Sequence, residues 1–276
     1  MPEDPEPSTN ISGGVGGGGE PAAFDPAAAD TRAERVVDRL GEIYWQKSYG
    51  GQDAFTCLVR TILSQNTSDV ASQPAHDALV DRYGGRPEID GGKPGDLAAA
   101  LAAADQPTLA ETISSAGLYN QKSTVIIEAA EWVVSEFGSG PAFDEFVKSE
   151  SPKTVRETLL SVRGVGPKTA DCVLLFAGGR VGVFPVDTHV HRIFRRLGIA
   201  PPDADHEAVR AVLERAVPAA KCGFGHTATI QFGREYCRAR NPACLEDPDA
   251  CPMGDLCAQV GVYPATDEVV DPAEVD

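Results

Sequence analysis

Leu159-Leu160-Ser161-Val162-Arg163-Gly164-Val165-Gly166-Pro167-Lys168-Thr169-Ala170 is the stretch on which the fold turns. Apolar helical residues lead into a turn with two glycines, and a proline stands directly after the second of them. Glycine lets backbone approach a ligand closely, and Pro167 suits the first position of a helix, where an N–H would be unpaired in any case. The segment therefore reads as helix, tight hairpin, helix. Such a hairpin can hold a phosphate on backbone amides without any side chain, although a plain interhelical turn has the same local signature. Lys168 stands at the start of the second helix. There the helix dipole and partial burial are expected to lower the pKa of its amine, as a nucleophile requires; a solvated surface lysine is the ordinary alternative.

Outward from the hairpin the hydrophobic period is helical. Val36, Val37, Leu40, Ile43 and Tyr44 share one face, and Phe55, Leu58, Val59, Ile62 and Leu63 repeat the spacing. Further helices are expected near 69–83, 95–104, 107–116, 121–137, 153–161, 167–177, 188–197, 205–217 and 224–236, punctuated by Gly84-Gly85, Gly91-Gly92, Gly138 and Gly178-Gly179. Val181–Val186 is the one run that reads as a strand, and the class is all-α. Pro74 falls inside a predicted helix, which requires a first-turn position or a kink.

Asp187 precedes Thr188-His189-Val190-His191-Arg192 and is a good helix N-cap. A carboxylate there can also stabilise a sugar cation or move protons. Arg192, Arg195 and Arg196 form one basic patch and Arg234, Arg238 and Arg240 another, each a phosphate contact or a solvated face. Four of the seven cysteines, Cys237, Cys244, Cys251 and Cys257, crowd into 21 residues with six, six and five residues between them. In a reducing compartment such crowding argues for metal, and the wide spacing suits an iron–sulfur cluster better than zinc. Cys57, Cys172 and Cys222 lie in apolar contexts and read as packing residues.

The net charge of −17 is unusual for a nucleic-acid enzyme, but residues 1–31 and 246–276 carry fifteen acids and no base, leaving 26 acids against 24 bases between. Arg outnumbers Lys 17 to 7. An acid-rich, lysine-poor composition resembles proteins of salt-loving archaea, where salt screens acid–phosphate repulsion over about 3 Å at 1 M. Residues 1–25, rich in Pro, Gly and acids, and the acidic end from about 265 to 276 read as disordered tails. The apolar runs Leu97–Ala104 and Val173–Gly178 fall short of the ~20 residues a membrane span needs, and no secretory leader is visible, so a cytoplasmic location is expected; a monomer is the default, since nothing in the helical faces demands a partner.

Taken together, Gly164–Ala170, Val186-Asp187-Thr188-His189 nineteen residues after the lysine, and Gly233-Arg234 leading into Cys237 resemble the endonuclease III family of helix-hairpin-helix DNA glycosylases across nearly all of residues 32–264. The resemblance implies a six-helix barrel over 52–178 and a second helical lobe from 26–51 and 179–264 carrying a 4Fe–4S cluster on the four cysteines, with damaged or abasic double-stranded DNA across the cleft. It implies Lys168 as the Schiff-base lysine and Asp187 as the catalytic aspartate. Gly164, Val165 and Gly166 would take a phosphate, as would Arg238 and Arg240 on the cluster loop. Gly117-Leu118-Tyr119-Asn120, followed by Lys122, looks like the loop whose leucine wedges into the duplex. In Leu63–Asp69, Gln65 or Asn66 would fill the gap left by the extruded base. The implied reaction removes a damaged, oxidised pyrimidine and cleaves the strand 3′ to the abasic site by β-elimination.

Three features depart from the family pattern. The middle cysteine interval is six residues (Leu245–Ala250) where the family has two. Arg163 replaces the usual proline before the first hairpin glycine and adds a possible phosphate contact. At Ile62, where adenine glycosylases carry a catalytic glutamate, there is no acid. The competing readings are a thymine or uracil mismatch glycosylase of the same fold and a non-catalytic helix-hairpin-helix DNA-binding protein.

Overall fold

The computed structural model describes residues 23–44, 49–67, 69–85 and 95–275. Its helices are α1 (Arg32–Gly41), α2 (Ala54–Ser64), α3 (Asp69–Tyr83), α4 (Leu97–Ala102), α5 (Gln106–Thr112), α6 (Tyr119–Phe137), α7 (Gly140–Ser149), α8 (Pro152–Leu160), α9 (Pro167–Phe176), α10 (Thr188–Arg196), α11 (His206–Ala216), α12 (Cys222–Glu235) and α13 (Ala243–Glu246). A two-residue hairpin, β1 (Val262–Tyr263) with β2 (Glu268–Val269), is the only sheet among the described residues. The all-α class stands. Five of the acids serve local structure: Asp53, Asp96, Asp105, Asp187 and Asp205 each cap a helix, accepting a backbone N–H of its first turn, a contribution of about 1 kcal/mol apiece.

The described residues divide into two compact units, one running Tyr49–Arg180 and the other joining the described part of Gly19–Ser48 to Val181–Asp276. In the first, α2 packs against α3, α6, α7 and α9, and α6 against α4 and α5. Phe55, Leu58, Ile62 and Leu63 of α2 are fully buried with Leu79, Leu101, Leu109 and Phe143. Cys57 and Cys172 sit in this core, and burial pushes the Cys57 thiol up to about 12, marking it as inert packing. In the second, α12 lies against α1 and α10, and α11 against both. Lys221, just ahead of α12, reaches Glu34 and Asp38 of α1, each at 2.7 Å.

Several expectations change. α7 has no counterpart in the periodicity; Gly140-Pro141 looks like a break, yet both fill its first turn behind the cap Ser139. Val181–Val186 is irregular backbone rather than a strand. Pro74 is the sixth residue of α3, inside the helix and past its first turn. Of the expected N-terminal tail, residues 1–22 lie outside the described residues, as does Gly91-Gly92, whereas the Phe24 ring packs at a tilt against Phe224 with centroids 4.4 Å apart. The C-terminal tail is corrected outright. Val262 and Val269 pair across the hairpin and pack on Cys244 and Leu245, Pro272 is buried, and Asp271 bonds Arg195. Those few apolar and ionic contacts suffice to order an acidic segment.

Candidate functional site

The hairpin between α8 and α9 is built as its glycines require. Gly164 has φ +80°, and a Cβ there would lie 2.5 Å from Val125 Cγ1 of α6, so only glycine fits. Gly166, the N-cap of α9, is different: its φ is −93° and nothing lies within 4 Å of the place a Cβ would take. That side of the backbone is open to a ligand. Val165 is buried beneath the turn. Two braces hold the hairpin. Arg156 Nε of α8 meets the buried carboxylate of Asp171 on α9 at 2.7 Å, and Gln65 Nε2 donates to Gly164 O at 3.2 Å and to Thr169 Oγ1 at 3.1 Å. Lys168 is half-buried at the second position of α9. Arg163 is exposed and ion-paired to Glu128 at 2.7 Å.

The two loops singled out for intercalation are also legible. Asn66 is exposed with φ +52°, whereas Gln65 is committed to the hairpin. Leu118, at the head of α6, has φ +48° and leaves 56% of its surface exposed, an arrangement that stability alone does not favour. Sequence reasoning passed over the side chain between them. Lys122, only 4% exposed, donates to Leu63 O at 2.7 Å, Thr67 Oγ1 at 2.6 Å and Ala116 O at 2.9 Å.

In the second unit Asp187 caps α10, its Oδ1 accepting from Val190 N at 2.9 Å, which fixes the orientation of a half-exposed carboxylate. Two of the three arginines of α10 are not a solvated face. Arg195 and Arg196 are buried; Arg195 binds Pro202 O and Asp271, and Arg196 binds Arg238 O at 2.7 Å and Ala239 O. Arg192 donates to Cys237 O at 2.9 Å. Arg238 and Arg240 are exposed, as phosphate contacts would need.

Cys237, Cys244, Cys251 and Cys257 line one cavity of about 20 Å³, with Phe232, Tyr236, Met253 and Val262. Burial pushes the thiols of Cys251 and Cys257 up to about 11 and raises that of Cys244. Such a pocket favours neutral thiols until a cation offsets the desolvation of their anions. Donors to sulfur are in place: Arg196 Nη1 lies 3.7 Å from Cys237 Sγ, and Gln259 N 3.3 Å from Cys257 Sγ. Among the described residues no three metal-ligating side chains converge tightly enough for a single ion. The extended interval is compact, its Asp247 accepting from Asp249 N at the head of the 3₁₀ turn Pro248–Ala250. α1 secures the far side of the loop, Arg32 donating to Leu256 O and Arg39 to Pro252 O.

No described helix is long and apolar enough to cross a membrane. Residues 59–219 match the family model described as HhH-GPD superfamily base excision DNA repair protein. The endonuclease III of Thermotoga maritima is 32% identical over 214 residues, 78% of this chain and 86% of that protein. Among solved structures, a trapped endonuclease III–DNA covalent intermediate is similar with a TM-score of 0.65 at 24% identity, covering 83% of this chain and 96% of that one. A thermostable thymine-DNA glycosylase has the same TM-score and coverage at 20% identity, which is a likeness of fold. The chain belongs to the endonuclease III family of the HhH-GPD superfamily and is a base excision repair DNA glycosylase.

Proposed function

We propose that this glycosylase is bifunctional, removing oxidised pyrimidines from double-stranded DNA and cutting the strand 3′ to the resulting abasic site. It would act as a cytoplasmic monomer. The observation that carries the reading is the position of Lys168, half-buried two residues after Gly166 and next to an open backbone face. The hairpin glycines seat a phosphate on backbone amides, so the lysine just beyond them reaches the sugar of a nucleotide bound there.

A stacked base hides its glycosidic carbon, so the nucleotide is first extruded, with Leu118 wedging the stack and Asn66 filling the gap. The neutral amine of Lys168 attacks C1′ and the base departs with the glycosidic electron pair, taking up a proton. The sugar ring opens to an iminium. Loss of a C2′ proton expels the 3′ phosphate, and water then releases the amine. Asp187 stabilises the cationic sugar and carries protons, its orientation held by the cap bond to Val190 N. Cys237, Cys244, Cys251 and Cys257 would hold a 4Fe–4S cluster, which supplies no step of this reaction and serves to fix the loop presenting Arg238 and Arg240. Four thiols around one cavity, with donors to two of the sulfurs, support that assignment.

The test is strand cleavage and borohydride trapping on a duplex with thymine glycol or a preformed abasic site, up to molar salt to suit the acidic composition. Cleavage with a reducible covalent adduct on both substrates is expected. Excision without either would leave a monofunctional mismatch-type glycosylase.

A further inference from the structure

Resting on that reading, we infer that Lys122 is the positioning residue for base extrusion: its buried ammonium locks the loop carrying Asn66 to the loop carrying Leu118, so that both can be driven into the duplex without yielding. The geometry is specific. An ammonium has three donors, and all three are taken by oxygens of the two loops: Leu63 O and Thr67 Oγ1 on either side of Asn66, and Ala116 O two residues before Leu118. Thr67 Oγ1 also donates to Ala116 O at 2.5 Å, closing a triangle with Nζ. The three acceptors are neutral oxygens, so burying this charge is costly, and desolvation lowers its pKa.

What the charge secures is a pair of unfavourable backbones. Leu118 at φ +48° and, less severely, Asn66 at φ +52° occupy a region that L side chains hold only where surroundings over-determine it. The side chains of Asn66 and Leu118 are exposed and their supports buried, the construction a wedge needs. Lys122 itself reaches neither phosphate nor sugar, being 4% exposed with its donors occupied. It therefore acts through the loops.

The experiment compares wild type, Lys122→Met and the milder Thr67→Val on two duplexes, one with thymine glycol opposite adenine and one with a preformed abasic site. Extruding a paired base needs the wedge, and an abasic sugar, having no base to unstack, needs it far less. Single-turnover excision of thymine glycol should fall about tenfold in Lys122→Met and by less in Thr67→Val, while borohydride trapping on the abasic duplex stays within about twofold. Stopped-flow fluorescence of a 2-aminopurine beside the lesion should show slower unstacking in the same order. The trapping yield also reports the folded fraction. Equal loss on both duplexes would make Lys122 merely structural, and unchanged excision and unstacking would remove its role; either overturns the inference. Failure of wild type on both duplexes would instead overturn the reading beneath it.

Discussion

Arg196 and Cys237 are in contact: the guanidinium Nη1 lies 3.7 Å from the sulfur, and the same atom donates to Arg238 O at 2.7 Å. One buried arginine therefore anchors the start of the cysteine loop and the segment that presents Arg238 and Arg240. Arg196→Ala would leave the carbonyls of Arg238 and Ala239 without their donor, a cost of about 3 kcal/mol. Thermal unfolding should show the loss. If the proposed 4Fe–4S cluster is bound, its absorbance near about 400 nm per protein should fall in parallel, and an unchanged band would separate Arg196 from the thiol pocket.

Gly164 and Gly166 should respond in opposite ways to the same change. Gly164→Ala meets both a positive φ and Val125, so it should destabilise the fold by about 2 kcal/mol. Gly166→Ala has open space and an ordinary φ and loses only the N-cap preference of glycine over alanine, so it should melt clearly above Gly164→Ala. The added methyl occupies the open face offered to phosphate, and duplex affinity measured by fluorescence anisotropy should fall about tenfold or more. Tight binding by Gly166→Ala would move the phosphate site elsewhere.

Gln65 and Asn66 divide support from contact. Gln65→Ala removes two hydrogen bonds to the hairpin and should cost about 1–2 kcal/mol of stability. Asn66→Gly, which removes the side chain but keeps the positive φ at ease, should change stability by no more than about 0.5 kcal/mol yet slow excision of a paired lesion. Denaturant melts and single-turnover rates on the two variants check this directly.

Two depressed carboxylates set an acid limit. The hydrogen bond from Lys221 holds Glu34 below its ordinary value of 4.5, and a backbone bond from Ala273, with Arg195 assisting, holds Asp271 below 3.8. A depressed group contributes fully above its unfolded pKa and loses that contribution as pH falls through the folded one. Glu34→Gln and Asp271→Asn should therefore melt below wild type at pH 7, and the differences should close as pH drops beneath about 4. A gap that persisted into strong acid would show a cause other than charge.

The hairpin, its lysine and the cysteine group were legible because each is written in short, contiguous spacing. Most helices were legible from period alone. What escaped depends on partners distant in sequence. Arg195 and Arg196 have the pattern of a basic surface because their acceptors, Pro202, Arg238, Ala239 and Asp271, are set by the fold. The acidic composition of the C-terminal end conceals Val262, Val269 and Pro272. Lys122 reads in sequence only as a neighbour of Leu118, since a buried ammonium bound to backbone oxygens leaves no trace in composition.

The central claim is that Lys168 supplies the amine. The direct measurement is mass spectrometry of the peptide left attached to DNA after borohydride trapping and digestion. The account predicts the reduced sugar on Lys168 alone, with trapping abolished in Lys168→Ala; an adduct on another amine, or trapping that survives that substitution, would contradict it.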